Sequence, residues 1–244
     1  MTTKRILAFS SSRVGNGGYL QDATPLIQQF LGNKPLKVAF VPFAGVGTSA
    51  EDYTQAVRNG LAGLPYIIQA VTADNAAELI TAADAIMVGG GNTFKLLHDL
   101  YAFQIFDLIR ERVLAGTPYV GWSAGSNITG ATICTTNDMP IIQPQSFTAF
   151  GFLPFQINPH YINQKPDGHN GETRDQRLFE FVTLNPSVRV SGIPEGTALL
   201  LENDSLKIIG NNTSVVFEIS RTSGKPEKRE LKPDEDVSWL MGGG

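Results

Sequence analysis

The sequence predicts an α/β protein with a mostly parallel sheet, helices on both faces of that sheet and a β-rich C-terminal part. Two patterns indicate this class. Short apolar runs alternate with helix-like stretches through the first half of the chain, which is typical of parallel strands joined by crossover helices. From residue 187 onward, short strand-like runs instead follow one another, with Asn-Asp and Asn-Asn turn signals at residues 203–204 and 211–212.

The elements can be placed in order along the chain, and no linker or repeat separates them. We expect residues 1–220 to form a single domain and residues 221–244 to add a surface hairpin or a loose tail to it. Strands are predicted at residues 5–9, 37–41, 66–71, 85–88, 118–122, 156–161, 187–193, 198–201, 206–209 and 215–219. Helices are predicted at residues 25–31, 51–61, 76–82, 93–100, 105–115 and 174–184.

The composition excludes several classes of protein. A hydrophobic content of 42% and a charged content of 17% in 244 residues describe a folded globular chain. The net charge of −4 and the absence of a long basic run argue against nucleic acid or an anionic membrane as a partner. The single cysteine, Cys134, fits a reducing compartment, and the apolar run at residues 6–9 is too short for a secretory signal or a membrane span. We therefore expect a cytoplasmic protein.

A serine directly after the fifth predicted strand is the candidate nucleophile. Gly121, Ser123 and Gly125 form the motif G-x-S-x-G. A serine on a sharp strand-to-helix turn needs small neighbours, because the backbone must fold tightly and leave the hydroxyl exposed. The N–H of Ala124 would then point at the carbonyl under attack. The alternative is that these small residues only close a βα turn.

Three glycines at residues 89–91 follow the fourth predicted strand and open a helix at Asn92. Glycines at a strand end allow close backbone approach, and the free N–H groups of a helix start attract negative charge. An oxyanion or a phosphate would fit there, although G-x-G-x-x-G and the P-loop lysine motif are absent. A simple tight turn is the alternative.

Few residues are candidates for the general base, because the chain has three histidines. His98 lies within a predicted helix and is interpreted as a packing or surface residue. His160 follows a predicted strand and is the preferred base, and His169, in a Gly- and Asn-rich loop, is a better candidate for substrate contact. Three scattered histidines and one cysteine show no metal-ligand spacing, so no metal site is predicted.

The histidine needs a carboxylate that holds its tautomer, and two candidates compete. Asp138 lies in a polar loop stiffened by Pro140, and Glu195 lies at the end of a later strand. We predict Asp138 as the orienting residue, because aspartate is the commoner orienter, and keep Glu195 as the alternative.

Arg174 begins a predicted helix, where an arginine is electrostatically misplaced. A residue that departs from the charge preference of a helix N-terminus suggests a functional role, and a guanidinium suits a substrate carboxylate. A surface ion pair with Glu172 or Asp175 is the alternative.

Together these motifs resemble peptidase E, the α-aspartyl dipeptidase family of serine peptidases, over roughly residues 5–220. Several separate motifs carry the resemblance in one order along the chain. They are VPFAG at residues 41–45, VGGGNTF at 88–94, GWSAG at 121–125, TTNDMP at 135–140, INPH at 157–160 and GETR at 171–174.

The resemblance implies a flavodoxin-like sheet related to class I glutamine amidotransferases, with serine in place of their elbow cysteine. It also implies a hydrolase of dipeptides with N-terminal aspartate that needs no metal or other cofactor, and we expect a monomer or homodimer. By motif, Ser123 would be the nucleophile, His160 the base and Asp138 or Glu195 its partner. The predicted oxyanion hole is formed by Gly90, Gly91 and Ala124, and the predicted substrate contacts are Arg174, His169 and Asn92.

Other functions stay open at the level of the sequence. A cyanophycinase-like exopeptidase would act on β-aspartyl linkages with the same scaffold. A non-catalytic protein would use residues 89–91 as an anion cradle. An amidotransferase-like subunit is disfavoured, because Cys134 lies outside the elbow.

Overall fold

The structure is a computed structural model that describes residues 4–164, 168 and 170–242. Its larger sheet has seven strands in the order β3-β2-β4-β5-β1-β8-β9, and the first five of these run parallel. The strands are β1 Arg5–Phe9, β2 Leu36–Val41, β3 Tyr66–Ala70, β4 Ala85–Val88, β5 Tyr119–Trp122, β8 Thr197–Glu202 and β9 Ser205–Gly210. The helices of this half are α1 Thr24–Leu31, α2 Ala50–Gly60, α3 Ala76–Ala82, α4 Thr93–Ala102, α5 Phe106–Leu114 and the short α6 Ala124–Asn127.

Side chains of the central strands alternate between two cores, one on each face of the sheet. On β1, Leu7 belongs to a cluster with Ile27 of α1 and Val57 of α2. Its neighbour Ile6 belongs to a second cluster with Leu97 of α4. Alternation of this kind places successive side chains on opposite faces, so the parallel strands are buried on both sides. The predicted α/β class is confirmed.

A second, smaller sheet forms the β-rich C-terminal part. Its order is β11-β10-β7-β6, and only β6 and β7 run parallel. Leu178 and Val182 of the adjoining helix pack against Val190 and Phe217 of this sheet. Its strands are β6 Gln156–Pro159, β7 Val190–Ile193, β10 Ser214–Ile219 and β11 Pro226–Leu231, and the adjoining helix is α7 Arg174–Leu184.

The C-terminal segment forms a hairpin rather than a loose tail. β11 pairs antiparallel with β10, and the short 3₁₀ helix Ser238–Met241 buries Leu240 in the main core. β11 is an edge strand rich in charged residues, a composition that discourages pairing with another chain. Among the described residues, no helix combines the length and hydrophobicity needed to cross a bilayer.

The topology brings several loops together at the carboxyl ends of the parallel strands in the large sheet. Strand β2 lies between β3 and β4, so the chain reverses direction across the sheet after β3. Ligand sites of open α/β sheets lie at such a switch point, outside the carboxyl ends of the strands. The loops after β2, β4 and β5 therefore converge where the candidate residues lie.

Candidate active site

Ser123 occupies the sharp turn between β5 and α6. Its backbone angles are φ 54° and ψ −113°, a strained region for a residue with a side chain. The carbonyl of Phe9 secures the turn, because it accepts hydrogen bonds from the Ser123 N–H at 3.1 Å and from the Ser126 hydroxyl at 2.6 Å. Ser123 thus lies on a strained strand-to-helix turn of the kind that G-x-S-x-G predicts.

The two glycines of the motif allow the backbones around Ser123 to approach closely. A Cβ on Gly121 would lie 2.5 Å from the carbonyl oxygen of Gly125, and a Cβ on Gly125 would lie 2.2 Å from that of Val88. Neither position can hold a side chain without a backbone shift. The motif is therefore required by packing among β4, β5 and α6.

His160 follows β6 and contacts Ser123 directly. Its Nε2 lies 2.9 Å from the Ser123 hydroxyl oxygen. Its backbone is held by the buried Ser10 hydroxyl, which accepts the His160 N–H at 2.9 Å and donates to the carbonyl of Ile193 at 2.8 Å. The residue has a positive φ of 52°, a backbone conformation that is costly for a residue with a side chain. The hydrogen bonds around His160 therefore hold the imidazole in place against local backbone strain.

The carboxylate in contact with His160 is Glu195, not Asp138. Glu195 Oε1 lies 2.8 Å from His160 Nδ1. Asp138 instead accepts the N–H of Thr93 at 2.7 Å and the hydroxyl of Thr136 at 3.1 Å. A carboxylate is stabilised at a helix N-terminus, and Thr93 is the first residue of α4. The predicted contact of Asp138 with His160 is therefore corrected by the structure.

Strand pairing explains why Glu195 reaches the histidine. β6 and β7 pair in parallel with Pro159 opposite Ile193. His160 directly follows β6 and Glu195 lies two residues past the end of β7, so the two side chains leave the sheet close together. The N–H of Tyr161 donates to the Ile193 carbonyl at 3.1 Å and extends this pairing past the histidine.

The predicted oxyanion donors lie beside Ser123. A Cβ on Gly90 would lie 2.9 Å from the Cβ of Ser123, so this backbone borders the nucleophile. In the described part of the chain, the N–H groups of Gly90 and Gly91 donate to no protein acceptor. The N–H of Ala124 belongs to the first turn of α6, where N–H groups have no intrahelical acceptor. These donors remain available to a developing negative charge.

The hydroxyl of Tyr53, on α2, holds the glycine loop. It donates to the carbonyl of Gly90 at 2.8 Å and accepts from the Trp122 indole N–H at 3.3 Å. Burial raises the pKa of Tyr53, so its phenol stays protonated and able to donate. The C=O and N–H of a trans peptide point in opposite directions, so this bond directs the N–H of Gly91 away from Tyr53.

A pocket of about 180 Å³ opens on one side of the serine and the histidine. It is lined by both of these residues and by a cation, Arg174, and an anion, Asp138. We call it the charged pocket. A carboxylate and an ammonium of one small zwitterion would each find an opposite charge there.

The Arg174 guanidinium is held by the buried amide of Asn158. Its Nη1 donates to Asn158 Oδ1 at 3.1 Å, and Asn158 Nδ2 donates to Asn137 Oδ1 at 2.8 Å. Burial lowers the pKa of Arg174, which identifies a partly desolvated guanidinium. Neither predicted surface partner, Glu172 or Asp175, holds it, because these residues pair with Arg177 and Lys228.

The remaining predicted residues lie elsewhere or outside the description. Asn92 caps α4 by accepting the N–H of Lys95 at 3.0 Å, and it donates to the carbonyl of Met139 at 2.8 Å. It does not line the charged pocket. His98 lies on α4 beside Asp99, as expected for a surface or packing residue. His169 lies outside the described residues.

Nothing in the neighbouring sequence indicated that two further residues belong to the site. Tyr53 lies in the middle of α2, where an aromatic residue usually indicates core packing. Asn158 lies within the motif at residues 157–160, but nothing in the spacing connects it to Arg174. Among the described residues, no group of three His, Cys, Asp or Glu side chains is placed to hold a metal ion.

A serine, a histidine and a carboxylate joined by hydrogen bonds are the arrangement that serine hydrolases use for acyl transfer. Comparison with known proteins identifies a family of peptidases. The model of peptidase family S51 matches residues 6–209. Peptidase E of Shewanella denitrificans is 49% identical over 236 residues, which cover 96% of this chain and 98% of that protein. Peptidase E of a Nostoc species is 45% identical over 240 residues, covering 98% and 97%.

Two solved structures share the fold. A putative peptidase E from Listeria monocytogenes superposes with a TM-score of 0.68 at 24% identity, over 86% of this chain and all of that one. A peptidase from an acI-B1 actinobacterium gives 0.70 at 19% identity, over 97% of each chain. The chain belongs to peptidase family S51 and is a peptidase. The resemblance to peptidase E is confirmed.

Proposed function

We propose that this peptidase is a serine-dependent dipeptidase that hydrolyses Asp-Xaa peptides through an acyl-enzyme. One observation carries the proposal. The same histidine lies 2.9 Å from Ser123 and 2.8 Å from Glu195, beside a pocket lined by Arg174. The first contact can activate a nucleophile, and the guanidinium can select a carboxylate.

The first half of the reaction forms an ester. Ser123 attacks the scissile carbonyl while its proton moves to His160 Nε2. The N–H groups of Gly91 and Ala124 stabilise the negative oxygen that results, an effect commonly worth ~10²–10³ in rate for each donor. The imidazolium then donates its proton to the leaving nitrogen, and the C–N bond breaks.

The second half returns the serine to its free state. Water gives a proton to His160 Nε2 as its oxygen attacks the ester carbonyl, and the same proton returns to Ser123 as the ester bond breaks. Glu195 accepts a hydrogen bond from Nδ1–H throughout and stabilises the imidazolium. The Glu195 side chain is 49% exposed, so water shares this task.

The charged pocket suits an N-terminal aspartate. Arg174 would bind its side-chain carboxylate. Asp138 uses Oδ2 for its two internal hydrogen bonds, and Oδ1 has no donor among the described residues. We assign Oδ1 to the α-ammonium of the substrate, a role that replaces the predicted contact with His160.

The test compares the peptides Asp-Leu, Asn-Leu, Glu-Leu and β-Asp-Leu with wild type and Ser123→Ala, in the presence of a chelator. We expect hydrolysis of Asp-Leu alone, lost in the variant and unaffected by the chelator. Preference for β-Asp-Leu would instead support the cyanophycinase-like alternative. A fluorophosphonate should label Ser123, and absence of both labelling and hydrolysis would favour the anion-binding alternative.

We also propose that the enzyme works in the cytoplasm on small peptides, as a monomer or homodimer. Its cysteine, Cys134, is exposed and unpaired, which suits a reducing compartment. Fractionation of cells and size-exclusion chromatography with light scattering test these two statements.

A further inference from the structure

A second depression opens on the other side of the serine and the histidine. It has a volume of about 370 Å³ and shares Ser123 and His160 with the charged pocket. Its outer wall comes from the loop after β2, where Val46 and Thr48 lie. Its inner wall is formed by Tyr53 and Trp122.

The chemistry of this depression contrasts with that of the charged pocket. No Asp, Glu, Lys or Arg of the described residues lines it. Burial raises the pKa values of both lining tyrosines, Tyr19 and Tyr53, which therefore stay neutral. Arg13 stacks against Tyr19, with its guanidinium carbon 5.7 Å from the ring centre, but it does not line the depression.

We propose that this depression is the leaving-residue pocket, which binds the residue after the scissile bond and favours an uncharged side chain. The inference rests on the proposed function. If Arg174 holds the side chain of the first residue, the scissile carbonyl lies at Ser123, and the rest of the peptide extends to the opposite side. The leaving-residue pocket lies on that side of Ser123 and would receive the residue after the scissile bond.

Val46 allows a direct test, because its side chain is 61% exposed and a charge there will not be buried. The experiment measures kcat/KM for Asp-Leu, Asp-Glu and Asp-Lys with wild type, Val46→Lys and Val46→Glu. In wild type, Asp-Leu should be the best of the three substrates. Val46→Lys should raise Asp-Glu relative to Asp-Lys by about fivefold or more, because opposite charges attract across a solvated pocket, and Val46→Glu should do the reverse.

Leu184→Lys is the matched control. Leu184 is 84% exposed and ends α7, whose first residue is Arg174, so it lies about 15 Å along the helix from the charged pocket. This variant adds the same charge and should leave the ratio of Asp-Glu to Asp-Lys as in wild type.

The outcomes separate the two proposals. Reciprocal shifts in the two Val46 variants, with an unchanged control, support the leaving-residue pocket. Unchanged ratios in these variants, with Asp-Leu still hydrolysed, overturn the pocket and leave the proposed function intact. A wild type that hydrolyses none of the three peptides overturns both.

Discussion

The hydroxyl of Tyr53 donates a 2.8 Å hydrogen bond to the carbonyl of Gly90, which belongs to the same peptide group as the N–H of Gly91. A helix on one face of the sheet thereby orients a donor of the proposed oxyanion hole. Tyr53 packs edge-on against Phe40, with ring centres 5.1 Å apart, so its position is set by the core. We predict that its hydroxyl acts in positioning, because it is bonded to the glycine loop, while the ring lines the leaving-residue pocket.

Tyr53→Phe should lower kcat about tenfold and leave KM for Asp-Leu nearly unchanged. The ring and its packing remain, but the Gly90 peptide loses the bond that orients the next N–H. The expected cost is smaller than the ~10²–10³ for loss of a whole donor. Tyr66→Phe is the control, since the Tyr66 hydroxyl also donates to a backbone carbonyl, that of Gly32 at 2.7 Å, but neither residue lines the two pockets beside Ser123. Equal effects of the two variants on kcat would contradict the positioning role.

Glu195→Gln should lower kcat by roughly 10–10²-fold with little change in KM. The loss is expected to be smaller than the ~10⁴ seen for a buried triad carboxylate, because the Glu195 side chain is 49% exposed and water can partly replace it. Steady-state kinetics on Asp-Leu provide the measurement.

Asp138→Asn should have a different profile, with KM raised more than kcat is lowered. Its carboxylate anchors the start of α4 through Thr93 and faces the charged pocket, but it does not contact His160. If Asp138→Asn lowered kcat more than Glu195→Gln did, Asp138 would regain the role of orienting residue.

Arg174→Gln should abolish the preference for Asp-Leu over Asn-Leu, with a loss of roughly 10²-fold or more in kcat/KM for Asp-Leu. A charged hydrogen-bonded partner of a substrate carboxylate commonly contributes several kcal/mol. Arg177→Gln is the control on the same helix, because the Arg177 side chain is 62% exposed. An unchanged Asp-Leu to Asn-Leu ratio in Arg174→Gln would place the specificity elsewhere.

Gly125→Ala should lower the free energy of unfolding by about 1–3 kcal/mol, the usual cost of inserting a methyl group into packed structure. The new Cβ would lie 2.2 Å from the backbone carbonyl of Val88, so a strand must move. Gly18→Ala should be nearly neutral, because the nearest atom there belongs to the flexible Gln21 side chain at 3.1 Å. Urea denaturation of both variants, followed by circular dichroism, gives the comparison.

Much of the site could be predicted from local patterns. Several elements lie at their predicted bounds, such as the helix at residues 174–184 and the strands at 5–9 and 85–88. Their bounds are predictable because hydrophobic periodicity and capping depend on residues within a short stretch of sequence. Ser123 was recognisable for the same reason, since its turn needs small neighbours in the immediate sequence.

The local sequence could not decide which of the two carboxylates contacts His160. Asp138 had the shorter side chain and a stiffened loop in its favour, but the start of α4 binds it. Glu195 reaches His160 because β6 and β7 pair in parallel, and no pattern within either strand reveals its neighbour.

The sequence by itself determined the α/β class, the peptidase family and the pair of Ser123 and His160. The tertiary structure decided the carboxylate partner, the support of the glycine loop by Tyr53 and the two pockets that flank the serine. The physical reason is the range of the interactions. Turns, caps and periodicity depend on residues a few positions apart, whereas these contacts depend on which strands and loops the folded sheet brings together.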